Sequence, residues 1–135
     1  MIVVDASVWV SVLVRRDLHH AVSRRWLAGL ISHNQAIAAP LLLTAEVGGA
    51  VARQTGRPEL GRAAIERLLA LPTLRLVRID HRFGLHAARL AAERRLRGAD
   101  AYYVALAAEL SLPLVSWDRE QIDRAAPLVS AYSPE

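Results

Sequence analysis

Four carboxylates of this chain stand in sequence surroundings where a negative charge is expensive. Asp5 follows Ile-Val-Val, Glu46 sits inside Leu-Leu-Leu-Thr-Ala-Glu-Val, Asp100 precedes Ala-Tyr-Tyr-Val-Ala-Leu-Ala, and Asp118 follows Pro-Leu-Val-Ser-Trp. An isolated carboxylate among apolar neighbours costs on the order of several kcal/mol unless it is paired, protonated or bound to a cation. Asp5 and Asp118 close short apolar runs that read as strands, and Asp100 opens a helical segment, so all four acids can converge on one edge of a sheet. Hard oxygen donors with few cationic neighbours suit Mg²⁺ or Mn²⁺, and without such an ion they repel one another.

Each acid also has a plain structural reading. Asp5, Asp100 and Asp118 are all placed to cap or open a helix, and Glu46 has Arg53 within reach on the same helix. Asp123, beyond Asp118, is either an auxiliary ligand through water or a surface helix residue. Ser7 and Ser116 each lie two residues from one of the acids, where a hydroxyl can orient a ligand or simply bond to backbone. Glu59, Glu66, Glu93 and Glu120 stand among arginines, and solvated faces account for them.

The elements that must position these residues alternate. Ile2–Val4 is a buried-type strand, followed by a helix over 6–14 and a second over 20–29. A strand over 35–39 leads to Pro40, which can open a helix running to about Gln54. Residues 59–71 form another amphipathic helix, and 74–79 a strand ending at Asp80. Helices over 81–96 and 100–110, a strand over 113–116, a short helix from Arg119 and an edge strand at 128–129 complete the chain. Strands separated by helices specify an α/β fold with a parallel central sheet in three α/β/α layers.

With 135 residues, 53% of them hydrophobic, the chain can bury a substantial core as one domain, 1–135. Absent cysteine excludes disulfides and thiolate metal sites. The apolar start is too short for a signal or a membrane span, so a soluble cytoplasmic protein is expected. All 17 basic residues are arginine, giving a net charge of +4. That suits phosphate contacts, and it equally suits a GC-rich genome. Arg15, Arg16, Arg94, Arg95 and Arg97 are the first candidates for contacts to a nucleic-acid backbone, with solvated helix ends as their plain reading. The five histidines show no ligand spacing and receive no role.

Taken together, Val-Val-Asp-Ala-Ser at the start, Glu46 in its Pro-Leu-Leu-Leu-Thr-Ala-Glu segment, Arg-Gly-Ala-Asp-Ala-Tyr-Tyr-Val-Ala-Leu-Ala and Leu-Val-Ser-Trp-Asp resemble the PIN-domain ribonucleases. Among these the VapC toxins of bacterial toxin–antitoxin pairs are the most similar, and order, spacing and length agree over essentially the whole chain. The resemblance implies that Asp5, Glu46, Asp100 and Asp118 are catalytic acids holding Mg²⁺ or Mn²⁺, with Ser7 and Ser116 supporting them. It implies endonucleolytic hydrolysis of RNA to 5′-phosphate and 3′-hydroxyl ends, a cognate VapB-like antitoxin and a homodimer. Ser116 stands where many relatives carry threonine, keeping the hydroxyl. Gly48-Gly49 departs from good helix-forming sequence and implies a bend or a close helix contact.

Two other classes compete. A phosphoacceptor domain also places an aspartate after its first strand but resembles its kin in needing a lysine, which this chain lacks. A PIN-like module that only binds RNA or protein, or a housekeeping RNA-processing nuclease, shares the same residues.

Overall fold

A computed structural model describes residues 1–135. In chain order the elements are β1 (Ile2–Val4), α1 (Ala6–Leu13), α2 (His20–Ser32), β2 (Ile37–Pro40), α3 (Leu43–Thr55), α4 (Pro58–Leu69), β3 (Leu74–Val77), α5 (His81–Arg94), α6 (Gly98–Leu110), β4 (Leu114–Val115), α7 (Arg119–Ala125) and β5 (Ala131–Tyr132). The five strands form one wholly parallel sheet in the order β3-β2-β1-β4-β5. Seven helices flank it, giving the three-layer α/β/α architecture that the alternating sequence specifies.

β1 is the centre of this arrangement. From it the chain winds outward through β2 and β3, then returns to its other side for β4 and β5. The carboxyl ends of β1 and β4 therefore flank the topological switch point, the crevice where open α/β sheets bind ligands. β1, β2 and β4 are buried throughout, as their unbroken apolar runs require. α6 is apolar around most of its circumference and buries Ala101 and every residue from Tyr103 to Ala107. No helix is long and apolar enough to cross a membrane.

Several boundaries differ from the sequence reading, each for a local reason. Pro40 does not open a helix: it ends β2, paired with Val77, where pairing with β1 has already stopped. A proline there costs the sheet little because no neighbour requires its missing N–H. α2 runs past Gly29 to Ser32, and Asn34, at φ 52°, supplies the left-handed residue that ends the turn. α6 begins at Gly98, so Asp100 is a first-turn residue and Arg97 stands at the cap. The edge strand is at Ala131–Tyr132, not 128–129, because the N–H groups of Leu128 and Val129 both bond to Ala125 O at 2.8 and 3.1 Å. Those bonds close α7, and the ladder starts only where Leu114 N–H reaches Ser130 O at 2.8 Å.

The paired glycines mark a close helix contact. A Cβ on Gly61 of α4 would lie 2.5 Å from Gly48 O of α3, a separation no side chain tolerates. Glycine at Gly61 thus lets α4 lie directly against the backbone of the helix that carries Glu46.

Candidate active site

Asp5 leaves the end of β1 and is 4% exposed. Its Oδ2 accepts the Ser7 N–H at 3.0 Å, which caps α1, and the Ser116 hydroxyl at 3.2 Å. Its Oδ1 accepts from Gln121 Nε2 at 3.4 Å. The capping role and a functional one are therefore not alternatives here, since the cap uses one lone pair of a carboxylate held from three directions.

The serines form an ordered relay behind it. Ser116 Oγ donates to Asp5, so the Ser7 hydroxyl, 3.3 Å away, must donate to Ser116 and is left to accept the Trp117 N–H at 3.0 Å. Ser116 Oγ also accepts the Asp118 N–H at 2.9 Å, tying the β4 exit to the β1 exit. Asp118 caps α7 by accepting the Gln121 N–H at 3.1 Å.

Glu46 lies in the first turn of α3 and accepts the Tyr103 hydroxyl at 2.7 Å. Burial pushes its carboxyl up to about 7; the charges of Asp5 and Asp100 add to this, and the Tyr103 hydrogen bond opposes it. Asp100, in the first turn of α6, is pushed up to about 6 by burial, then by Asp5 and Asp118, with Arg97 opposing. Burial and the neighbouring Glu46 raise the Tyr103 hydroxyl far above its ordinary value, so it remains a donor.

Glu46 and Asp100 thus feel the charge of the other acids, yet none of the four is in an ion pair with a guanidinium. Every ion pair in the structure uses Glu59, Glu109, Glu120 or Asp123. Arg53 does not pair with Glu46; it stands at the wall of the cleft next to it. No three of the acids lie close enough together in this arrangement to hold a metal ion as a group. The donor chemistry nevertheless fits a hard divalent cation, because the side chains offered are oxygen donors and none of the four acids is in an ion pair.

The remaining candidates separate. Asp123 is on the exposed face of α7, 3.6 Å from Arg119. Arg15 and Arg16 line a different cleft with Gln54, Thr55 and Leu60. Arg94 ends α5, and Arg95, at φ 55°, caps it and accepts a hydrogen bond from Arg124 on its carbonyl. Of the five arginines, Arg97 lines the cleft that holds Glu46, Ser7, His19 and Trp117.

Three residues escaped the sequence reading. Gln121 is 1% exposed and bridges Asp5 to the Asp100 carbonyl, at 3.4 and 3.3 Å, with its own Oε1 unpartnered. Asp118-Arg119-Glu120-Gln121 reads as a capping box, and that signal would have found it only as a cap. Tyr103 is one turn beyond Asp100 on α6, a spacing that places both on one face. His19 carries no such signal.

Comparison with known proteins agrees with this fold. A family model described as PIN domain matches residues 2–127. No curated protein sequence matches. Among solved structures, VapC20 of Mycobacterium tuberculosis, described as a toxin cleaving the sarcin–ricin loop, superimposes with a TM-score of 0.77 at 19% identity, covering 94% of this chain and 95% of that one. FitAcB of Neisseria gonorrhoeae gives 0.73 at 22% identity, covering 98% and 96%. VapBC2 of Rickettsia felis, solved bound to a DNA fragment from its promoter, gives 0.74 at 16% identity over 100% of both chains.

Proposed function

The chain belongs to the PIN-domain family, and from that premise we propose that it is a divalent-metal-dependent endoribonuclease, the VapC-like toxin of a toxin–antitoxin pair. The observation that carries the reading is a run of like charges, with Asp5 and Asp100 acting on Glu46 and Asp5 and Asp118 acting on Asp100, in which none of the four acids is in an ion pair. Structural carboxylates are usually neutralised by pairing; a set left in this state is built to receive positive charge.

On this reading the four acids hold Mg²⁺ or Mn²⁺. Such an ion supplies a water of lowered pKa and stabilises charge on the leaving oxygen. The chain's own residues do the positioning. Ser116, Ser7 and Gln121 fix the Asp5 carboxylate, which spares it the entropy of ordering when substrate arrives. Tyr103 holds Glu46 in one rotamer and remains protonated, so it is no base. Arg97, exposed at the rim, meets backbone phosphate. Toxin–antitoxin complexes among the structural neighbours support a VapB-like antitoxin as partner.

The test is cleavage of RNA by the full chain across a Mn²⁺ and Mg²⁺ titration, with Asp5→Asn and Asp100→Asn alongside. Cleavage that needs the ion and vanishes in both variants supports the reading. Full activity in either variant removes it.

A further inference from the structure

The cleft beside the acids carries a feature that the hydrolysis does not use. His19, in the turn before α2, lies flat on Trp117, with ring centroids 3.8 Å apart and planes 8° from parallel. Trp117 is anchored at both ends: the indole Nε1 donates to Ser23 Oγ at 2.8 Å and the backbone N–H to Ser7 Oγ at 3.0 Å. Ser23 is itself fixed by the Ser11 hydroxyl at 2.6 Å, and both serines are buried. The turn that carries His19 is fixed by Asp17, whose Oδ1 accepts the His19 backbone N–H at 2.8 Å.

Both rings are half-buried and line the same cleft as Glu46, Arg53 and Arg97. No further aromatic ring stacks on either, and neither arginine is in an ion pair. A flat pair of rings, the lower one hydrogen-bonded in place, beside unpaired guanidiniums has the composition of a single-strand nucleic-acid site, where bases stack and phosphates are tracked by charge. A duplex cannot use it, because its base faces are already stacked on one another.

We propose that His19, stacked on Trp117, is a platform for an unpaired nucleobase of the RNA substrate beside the scissile phosphate, with Arg53 and Arg97 taking the flanking phosphates. The proposal rests on the nuclease reading for its substrate class but uses none of the four acids. Since every base has a face, the contact selects unpaired RNA over duplex and leaves base identity to other groups.

The test uses the full chain carrying Asp100→Asn, which binds without cutting, and compares it with the same chain also carrying His19→Ala or His19→Phe. Affinity is measured for a mixed-sequence unstructured oligoribonucleotide, for an abasic strand of equal length and charge, and for duplex RNA. His19→Ala is expected to weaken binding of the base-bearing strand about ten-fold and leave the abasic strand unchanged, with His19→Phe restoring the loss. Equal affinities for the base-bearing strand with and without His19, equal losses on both strands, or no binding of RNA by any variant overturns the platform. Cleavage by the unmodified chain with Mn²⁺ is read in parallel. Cleavage combined with His19-independent binding rejects the platform and keeps the nuclease; His19-dependent binding of base-bearing RNA without cleavage keeps the platform and rejects the nuclease.

Discussion

Tyr103 of α6 donates a 2.7 Å hydrogen bond to Glu46 of α3, 57 residues away in sequence, and it is the only side-chain hydrogen bond Glu46 receives. The bond lowers the cost of charging Glu46 in a site whose burial and neighbours raise it.

Replacing Tyr103 with Phe therefore pushes the Glu46 carboxyl higher. Phe fills the same buried space, so the expected loss of stability is about 1 kcal/mol, that of one hydrogen bond. The clearer effect is on the ion requirement: half-maximal cleavage should need several-fold more Mn²⁺ at pH 7, with the difference shrinking by pH 9. An unchanged Mn²⁺ requirement would show that Tyr103 serves packing alone.

The raised carboxyls also set how stability depends on pH. Glu46, at about 7, and Asp100, at about 6, bind protons more tightly in the folded chain than at their ordinary values of 4.5 and 3.8. Between roughly pH 4 and 7 the folded state holds more protons than the unfolded one, so stability falls as pH rises through that window. Metal-free protein should thus have a higher Tm at pH 5 than at pH 8, and Mn²⁺ should raise Tm more at pH 8. A Tm that climbs steadily from pH 5 to 8 without metal would contradict the assigned repulsion.

The two aspartates should respond differently to amide substitution. Asp100 feels Asp5 and Asp118 but accepts no side-chain hydrogen bond, so Asp100→Asn relieves repulsion and raises the metal-free Tm. Asp5 accepts from Ser7, Ser116 and Gln121, and an amide there sets one NH₂ against another donor. Asp5→Asn should therefore cost about 1 kcal/mol while abolishing cleavage as completely. Chemical denaturation of both variants distinguishes the two.

The contact between Gly61 and Gly48 makes a prediction remote from the acids. Gly61→Ala drives a methyl into the Gly48 carbonyl, which is backbone and cannot step aside, and should cost about 2 kcal/mol. Gly48→Ala meets the Ile65 Cδ1, 2.6 Å away at the end of a flexible side chain, and should cost less. Urea midpoints of the two variants give the order; the reverse order would place the helix contact elsewhere.

What the sequence carries and what it hides follow from the range of the interactions. Apolar runs ending at Asp5 and near Asp118, and the helical periodicity between them, are local patterns, so strands, helices and the parallel sheet could be read directly. Boundaries failed where a competing local bond won, as at Leu128 and Val129, whose N–H groups the Ala125 carbonyl captures. The acids were legible because a charge in apolar sequence is conspicuous wherever it lies. Their partners were not. Gln121 reaches Asp5 across 116 residues, and the His19–Trp117 stack joins two turns at opposite ends of the chain. Such pairs are set by how helices pack on the sheet, and one-dimensional periodicity says nothing of them.

The central claim is that Asp5, Glu46, Asp100 and Asp118 tolerate one another by sharing a divalent cation, and calorimetric titration of Mn²⁺ into RNA-free protein tests it most directly. The account predicts saturable binding at pH 8 that weakens at least ten-fold in each of Asp5→Asn, Glu46→Gln, Asp100→Asn and Asp118→Asn. Undiminished Mn²⁺ affinity in those variants, or RNA cleavage at full rate in excess EDTA, would contradict it.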